Sequence, residues 1–323
     1  MTEYLVRRIL QMIPLLFIIS LLSFGIAELA PGDPVMMYLA PDKRSLSTEE
    51  LNQIRHQLGL DQPVYIRYIS WLGNVVHGNW GYSLRTNDTV LNEIESRLPN
   101  TILLAGLAMI VSILIAVPIG VISALKRNTI IDYIATLGAF TGISIPGFWL
   151  ALGLIELFSL QIRLLPSVGM SSLQAGLSGP QMVWDVIRHL ILPVVTLSFS
   201  SVGYWSRYQR ATLLEVLNQD YVRTARAKGL VENLVIWRHA FRNSLLPLVT
   251  LAGLSLPDLV NGAYVTEVIF GWPGMGRLGI EAIISRDYPV VMGVTMLSAL
   301  LVIVGNLLAD VCYALVDPRI SRK

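Results

Sequence analysis

The sequence has few charged residues, and this scarcity indicates its class. Of its 323 residues, 14% are Asp, Glu, Lys or Arg and 54% are hydrophobic, and the mean hydropathy is +0.60. Soluble globular domains carry about 25% charged residues. The composition therefore excludes a soluble domain and predicts a polytopic membrane protein.

Cysteine and catalytic motifs are scarce as well. Cys312 is the single cysteine, which excludes an internal disulfide and any site built on several cysteines. The dipeptide Gly-Lys does not occur, so the chain lacks the phosphate-binding loop that nucleotide-hydrolysing enzymes use. The four histidines are scattered, and no nucleophile elbow, HExxH motif or paired catalytic carboxylates occur. We therefore predict no enzymatic activity, no cofactor and no metal site in this chain.

Long uncharged runs are abundant, and each is near the roughly 17–25 residues that a helix needs to cross the hydrocarbon. The fifth run is short unless Asp258 is included, when it extends to Thr266. Backbone groups in lipid must be satisfied internally, so the runs are predicted to be six transmembrane helices of an all-α protein. The runs cover residues 9–27, 98–125, 133–155, 190–206, 243–257 and 288–309.

The first run follows Arg7 and Arg8 but ends in Glu28-Leu29-Ala30, where a cleavage site would need small residues, so residues 1–30 are predicted to be a retained first helix.

Alternate loops differ in their content of Lys and Arg. With a cytoplasmic N-terminus, the inner segments carry 14 Lys/Arg in 64 residues and the outer segments 10 in 119. This bias predicts that both termini are cytoplasmic.

Residues 31–99 form the largest segment outside the apolar runs and are predicted to be an extracytoplasmic helical region. A capping box that begins at Ser47 predicts a helix ending at Gly59, and Pro63 is expected to begin a second helix that ends at Gly78. Two short helices cannot bury a core alone. They form either a structural lid or a docking surface for an extracytoplasmic binding protein. Residues 100–323 are then a five-helix core.

The inner loop 207–244 is the most informative part of the chain. It holds seven Lys/Arg against three acids, and the small residues Ala225, Ala227 and Gly229 lie within that charge. Attraction to anionic lipid headgroups would explain the charge alone. The small residues let another surface approach the backbone closely, and so favour a protein-docking loop.

The pattern Ala225-Arg226-Ala227, with Gly229 and a later Leu246-Pro247, resembles the EAA loop of permease subunits in ATP-binding-cassette (ABC) importers. Ala225 stands where that signature begins with Glu. The segments RTARAKGL and RHAFRNSLLP resemble sequences of the dipeptide, oligopeptide and nickel permease family. PGDPV at 31–35, GNWGYSL at 78–84 and VTEVIFGWPGMGRL at 265–278 extend this resemblance essentially end to end.

The resemblance implies the type I ABC importer permease (MetI-like) fold, with six transmembrane helices and an extracytoplasmic helical insertion after the first. It further implies a heterodimer with a second, related permease, two ATPase subunits that bind ATP and Mg²⁺, and an extracytoplasmic substrate-binding protein. The loop would form the coupling helix that docks into the ATPase. The implied docking residues are Asp220, Tyr221, Ala225, Arg226, Ala227 and Gly229.

Other classes of function remain open at this point. An ion-coupled secondary transporter would need several intramembrane acids or paired broken helices, and a membrane-assembly or receptor protein would not need the loop. The resemblance also leaves the cargo open, because relatives carry peptides, nickel, metal chelates or glutathione.

Asp258 is the acid placed deepest in an apolar run. Counted from Leu245, it lies about 20 Å into the fifth span. Acids at such depth usually face a cavity or a partner group. Asp258 is therefore predicted either to line the substrate pathway and contact cationic cargo, or to pair with a polar residue such as Asn261 or Asn306.

Two glycine motifs have structural interpretations. Gly274 to Gly279 matches the dinucleotide-binding pattern G-x-G-x-x-G after a strand-like run from Val265 to Phe270, but no acidic residue follows at the required distance. We interpret these glycines as a tight turn. Gly138 and Gly142 form a GxxxG motif, which favours close helix packing.

Overall fold

The computed structural model describes residues 2–29, 48–57, 59–172, 179–255 and 264–316. Over these residues the regular elements are helices, with a single β-bridge between Tyr82 and Thr89. The helices are α1 (Thr2–Leu29), α2 (Thr48–Gln57), α3 (Val64–Val76), α4 (Val90–Leu125), α5 (Ile130–Ser144), α6 (Gly147–Leu154), α7 (Pro180–Leu217), α8 (Asp220–Ala227), α9 (Glu232–Leu234), α10 (Arg242–Leu254), α11 (Tyr264–Ile269), α12 (Met275–Ile284) and α13 (Tyr288–Val316). Two π-helical segments, Ile155–Gln161 and Val235–Phe241, follow α6 and α9 directly.

Four helices, in α1, α4, α7 and α13, are long and apolar enough to cross a membrane. The α5 helix is followed by a second helical segment, made of α6 and Ile155–Gln161, and the two segments are bent by 98° relative to each other. They count as a fifth span if the bent pair crosses the membrane as one span. The bend falls at Ile145-Pro146, because proline lacks an N–H and forces the preceding residue into an extended conformation. The fifth apolar run begins as α10, and residues 256–263 lie outside the described part. The multi-span helical fold is therefore confirmed, whereas the number six stays a prediction.

The chain divides into two compact units. The first comprises Met1–Leu98 and Leu278–Ile303, and the second comprises Pro99–Arg277 and Val304–Lys323. The division into residues 1–30, 31–99 and 100–323 stays a prediction.

In the first unit, α3 packs on α1 through aromatic rings. Tyr68 is buried, its ring meets Phe17 and Phe24 edge to face, and its hydroxyl lies 2.8 Å from the Ser20 hydroxyl. Gly59 and Gly78 have φ angles of +66° and +84° and follow the ends of α2 and α3, as predicted, because glycine reaches the left-handed region without strain. The predicted N-cap Ser47 lies outside the described residues.

The second unit is centred on α7, which packs along α5. Gly203 of α7 lies against the backbone of Ala139, and Gly142 of α5 lies against the backbone of Phe199. A side chain at either glycine would meet a carbonyl oxygen at 2.5–2.9 Å. Gly138, the other glycine of the GxxxG motif, has open space at its Cβ position. Close helix packing within the subunit therefore depends on Gly142 and Gly203.

Candidate functional site

The loop between α7 and α10 folds as a compact helical pair. The first member is α8, and the second is a continuous rod made of α9, the π-helical segment Val235–Phe241 and α10. Gly229 forms the reversal between them with a φ of +78°, and its N–H donates to the Arg226 carbonyl at 2.9 Å. We call residues 218–241 the docking loop. Its helical character agrees with the sequence prediction, whereas Arg207 to Leu217, which the sequence placed in the loop, continue α7.

The small residue Ala225 lies inside the docking loop. It is buried together with Val222 of the same helix and Val235 of the second rod. The Ala225 methyl group therefore allows the two members of the pair to approach closely. The other five residues predicted for docking are exposed, namely Asp220, Tyr221, Arg226, Ala227 and Gly229.

An ion pair stabilises the reversal at Gly229. The guanidinium of Arg226 donates from both Nε and Nη2 to the Glu232 carboxylate, with the shortest distance 2.7 Å. Hydrogen bonding from Arg226 holds the pKa of the Glu232 carboxyl below its ordinary value. Tyr221 accepts a hydrogen bond from the Asn243 amide at 3.1 Å. The exposed face is thus presented by an internally bonded loop.

Polar contacts join the two helices that lead into and out of the docking loop. Gln209 of α7 donates to the Ser244 hydroxyl of α10 at 2.9 Å, and both side chains are buried. Gly120 of α4 lies so close that an added Cβ would be 2.6 Å from the Ser206 carbonyl oxygen. No sequence pattern indicated this junction, because its members are far apart along the chain.

The next residue of α7 bonds to α5. Arg210 donates from Nε and Nη2 to the two carboxylate oxygens of Asp132 at 2.7 and 2.8 Å. Asp132 is only 3% exposed, and it also accepts from the Ser123 hydroxyl and from the Asn128 N–H. Residues 209 and 210 therefore connect the docking loop to α10 and α5.

A second site that sequence reasoning missed is the buried carboxylate of Glu267, which lies outside the helices able to cross a membrane. It accepts hydrogen bonds from the Thr101 hydroxyl at 2.8 Å and the Arg277 N–H at 3.1 Å. Burial raises the pKa of the Glu267 carboxyl, although these hydrogen bonds and one from Gly276 oppose the rise. A Cβ on Gly274 would lie 2.4–2.5 Å from the carboxylate atoms.

The carboxylate of Glu267 explains the glycines that resemble a dinucleotide motif. Gly274 and Gly276 leave room for it at the start of α12. The strand-like run from Val265 to Phe270 is a wrong prediction, since Tyr264–Ile269 is helical. The sequence signal for this site was an acid, Glu267, directly after an apolar run and a few residues before two glycines. The predicted fifth span ended at Thr266, so Glu267 was not counted among the acids of the spans.

Asp258, the predicted pathway acid, lies outside the described residues, as does Asn261. The prediction that it lines the substrate pathway therefore stays untested.

The chain combines several helices able to cross a membrane with an exposed, internally bonded loop after α7, an arrangement expected of a membrane transport subunit. Comparisons with known proteins identify the kind. Residues 116–322 match the family described as binding-protein-dependent transport system inner membrane component, and residues 1–105 match its N-terminal family. The chain belongs to the family of binding-protein-dependent transport system inner membrane components.

Relatives match over their full lengths. The oligopeptide transport system permease protein AppB of Bacillus subtilis is 44% identical over 99% of this chain and 100% of its own. The dipeptide transport system permease protein DppB of Escherichia coli K12 is 39% identical, with both chains fully covered. The glutathione transport system permease protein GsiC of Shigella flexneri is 37% identical, again with full coverage.

A solved structure shares the fold. A chain of the MetNI methionine ABC transporter in an inward-facing conformation aligns with a TM-score of 0.55 at 18% identity, covering 70% of this chain and 97% of that one. The protein is thus a multi-pass permease subunit of an ABC importer, a transport component that works with a binding protein. These comparisons do not support the ion-coupled alternative.

Proposed function

We propose that this permease imports dipeptides, oligopeptides or a related small solute delivered by a substrate-binding protein. The names of its full-length relatives support this cargo class, since they are an oligopeptide, a dipeptide and a glutathione permease. The observation that carries the proposal is the docking loop, because an ATP-driven importer needs a rigid, exposed element on which an ATPase can act.

The proposed assembly contains a second, related permease, two ATPase subunits and an extracytoplasmic binding protein. ATP and Mg²⁺ are bound by the ATPases, and this chain holds no cofactor and catalyses no reaction. The complex lies in a bacterial or archaeal cytoplasmic membrane with both termini of this chain in the cytoplasm, and it binds no nucleic acid. The sequence supports this orientation through the excess of Lys/Arg in the inner segments.

In the proposed mechanism, closure of the ATPases displaces the docking loop. Its contact face contains the exposed residues Asp220, Tyr221, Arg226, Ala227 and Gly229, and Ala225 supports that face from inside. The Arg226–Glu232 pair and the buried contacts of Val222, Ala225 and Val235 favour movement of the loop as a unit. The contacts of residues 209 and 210 then pass the movement into α10 and α5, so that the cavity opens toward the binding protein.

Bulk at Gly229 is expected to uncouple transport from ATP hydrolysis. Any side chain there is strained by the φ of +78°, but the Cβ position is open within this chain. Gly229→Trp should therefore insert normally and reduce transport about tenfold by obstructing the ATPase surface. The measurement is peptide uptake and ATP hydrolysis by the reconstituted complex.

Gly229→Ala is the matched control for this prediction, because alanine carries the left-handed strain of a side chain but adds little bulk. It should keep most of the transport. Gly179→Trp is a second control, since Gly179 has a φ of +58° and open space in a different loop. Equal losses in Gly229→Ala and Gly229→Trp would mean that backbone strain, and not a docked surface, explains the effect.

The purified chain is expected neither to bind nor to hydrolyse ATP, because the sequence lacks a phosphate-binding loop. The ATPase subunits should co-purify with it and restore hydrolysis. The measurement is nucleotide binding and phosphate release with the permease alone and with the complex. Turnover by the permease alone, in a preparation free of ATPase subunits, would contradict the assignment.

A further inference from the structure

Arg207 of α7 places its charge against an aromatic ring of α5. The guanidinium carbon lies 4.3 Å from the centre of the Phe140 ring, and both side chains are exposed. The two helices run antiparallel, since Asp132 meets Arg210 and Gly142 meets Phe199. Phe140 is seven residues into the third apolar run, which begins at residue 133, so it lies about 10 Å along the helix axis, about a third of the hydrocarbon thickness.

The direction of the Arg207 side chain is unusual for a membrane-boundary arginine. Such residues normally extend toward the headgroups, whereas helical side chains tilt toward the N-terminus of their own helix. Because it stacks on Phe140, the Arg207 guanidinium lies closer to the membrane midplane than the Arg207 backbone does. A cation at such depth is costly unless it meets water or an anion.

Arg210, one turn further along α7, shows the difference. Its guanidinium donates from Nε and Nη2 to the buried Asp132 carboxylate. Among the residues that the structure describes, no carboxylate lies within ion-pair distance of Arg207, and its contact is the ring of Phe140. The ring supports one face of the guanidinium and leaves the N–H edge available to a ligand.

The two edges of the α5–α7 pair differ in chemistry. One edge forms an apolar groove of about 560 Å³ whose lining includes Ile122, Ile134 and Val202. Arg207 lies outside this groove and shares an exposed face of α7 with Tyr204 and Ser200, at helical spacings of three and seven residues. The apolar edge suits lipid or a neighbouring helix. The edge with Arg207 suits water and polar solutes.

We propose that Arg207, supported by Phe140, faces the translocation pathway and binds the carboxylate of the cargo. This inference rests on the proposed import of peptides. A guanidinium matches a carboxylate with two parallel hydrogen bonds, and every linear peptide with a free C-terminus carries that group whatever its side chains. Arg207 therefore contributes affinity for peptides as a class without selecting their sequence.

The first test measures whether position 207 meets water. Cys312→Ser removes the single cysteine, and Arg207→Cys is then introduced into the complete transporter. We expect the new thiol to react with membrane-impermeant thiosulfonates and to be protected by a transported peptide. The control is Ile134→Cys, which is 65% exposed but lines the apolar groove, and should react slowly. The inference is overturned if the thiol at position 207 is as unreactive as the thiol at position 134. The same low reactivity is expected if Arg207 pairs with an acid of the second permease instead of facing the pathway.

The second test measures the contact itself. Arg207→Gln should raise the half-saturating concentration about tenfold for a peptide with a free carboxylate, and leave that for its C-terminal amide unchanged relative to wild type. Arg207→Lys should retain part of the preference, and Arg127→Gln, in the exposed turn after α4, should behave as wild type. Equal effects on both peptides, or none, overturn the inference. Failure of the wild type to import any peptide refutes the proposed function instead, and the thiol test still decides whether position 207 faces water.

Discussion

Arg210→Met is expected to destabilise the permease by about 1–3 kcal/mol, because it leaves the nearly buried Asp132 carboxylate without its cation. Asp132 is 3% exposed and would keep only the Ser123 hydroxyl and the Asn128 N–H as donors. The measurement is the midpoint of thermal unfolding of the purified protein in detergent.

Arg207→Met is the matched control, since it makes the same substitution one turn away at an exposed position, and it should change the midpoint little. The double variant Asp132→Asn/Arg210→Met should recover much of the loss, because the neutral amide can remain hydrogen-bonded without a counterion. Similar small shifts in the two single variants would show that the Asp132–Arg210 pair contributes little to stability.

Gly203→Ala is expected to cost about 1–3 kcal/mol, because it forces α5 and α7 apart. The new methyl group would lie 2.5 Å from the carbonyl oxygen of Ala139 and 3.3 Å from its carbonyl carbon. A backbone oxygen cannot move aside as the end of a flexible side chain can. The measurement is again the unfolding midpoint, together with the yield of folded protein.

Gly138→Ala is the control, since Gly138 belongs to the same helix pair but has open space at its Cβ position. Alanine has the higher helix propensity, so this variant should be neutral or stabilised by up to about 1 kcal/mol. Gly142→Ala should resemble Gly203→Ala, because its methyl group would lie 2.9 Å from the Phe199 carbonyl oxygen. Equal behaviour of Gly138→Ala and Gly203→Ala would contradict close packing as the cause.

Both predictions concern the α5–α7 pair, which also carries the proposed cargo contact at Arg207. Arg207 lies only three residues from Arg210, and Arg210 is next to the Gln209–Ser244 junction with α10. A movement of the docking loop that reaches α7 therefore changes the environment of Arg207 as well. In the proposed mechanism, this arrangement is a short physical route between ATP-driven displacement and release of the cargo carboxylate.

Local features of the fold were predictable where the cause was local. The helices before Gly59 and Gly78 end as expected, because a residue in the left-handed conformation terminates a helix and glycine adopts that conformation without strain. In the part of the chain that the structure describes, the apolar runs are helical apart from the bend at Ile145-Pro146, since length and hydropathy need no distant partner. The docking loop was expected to be helical because it resembles the coupling helix of ABC importer permeases.

The sequence by itself determined that this is a helical membrane protein of the importer permease family, and it predicted that the basic, small-residue loop docks the ATPase. Only the tertiary structure decided what each charged or small residue does. It placed Ala225 inside the loop and paired Arg210 with an aspartate 78 positions away. It also stacked Arg207 on the Phe140 ring and placed Gly274 against the Glu267 carboxylate. The physical reason is that burial and pairing depend on neighbours from distant parts of the chain, whereas hydropathy and turn preference belong to each segment alone.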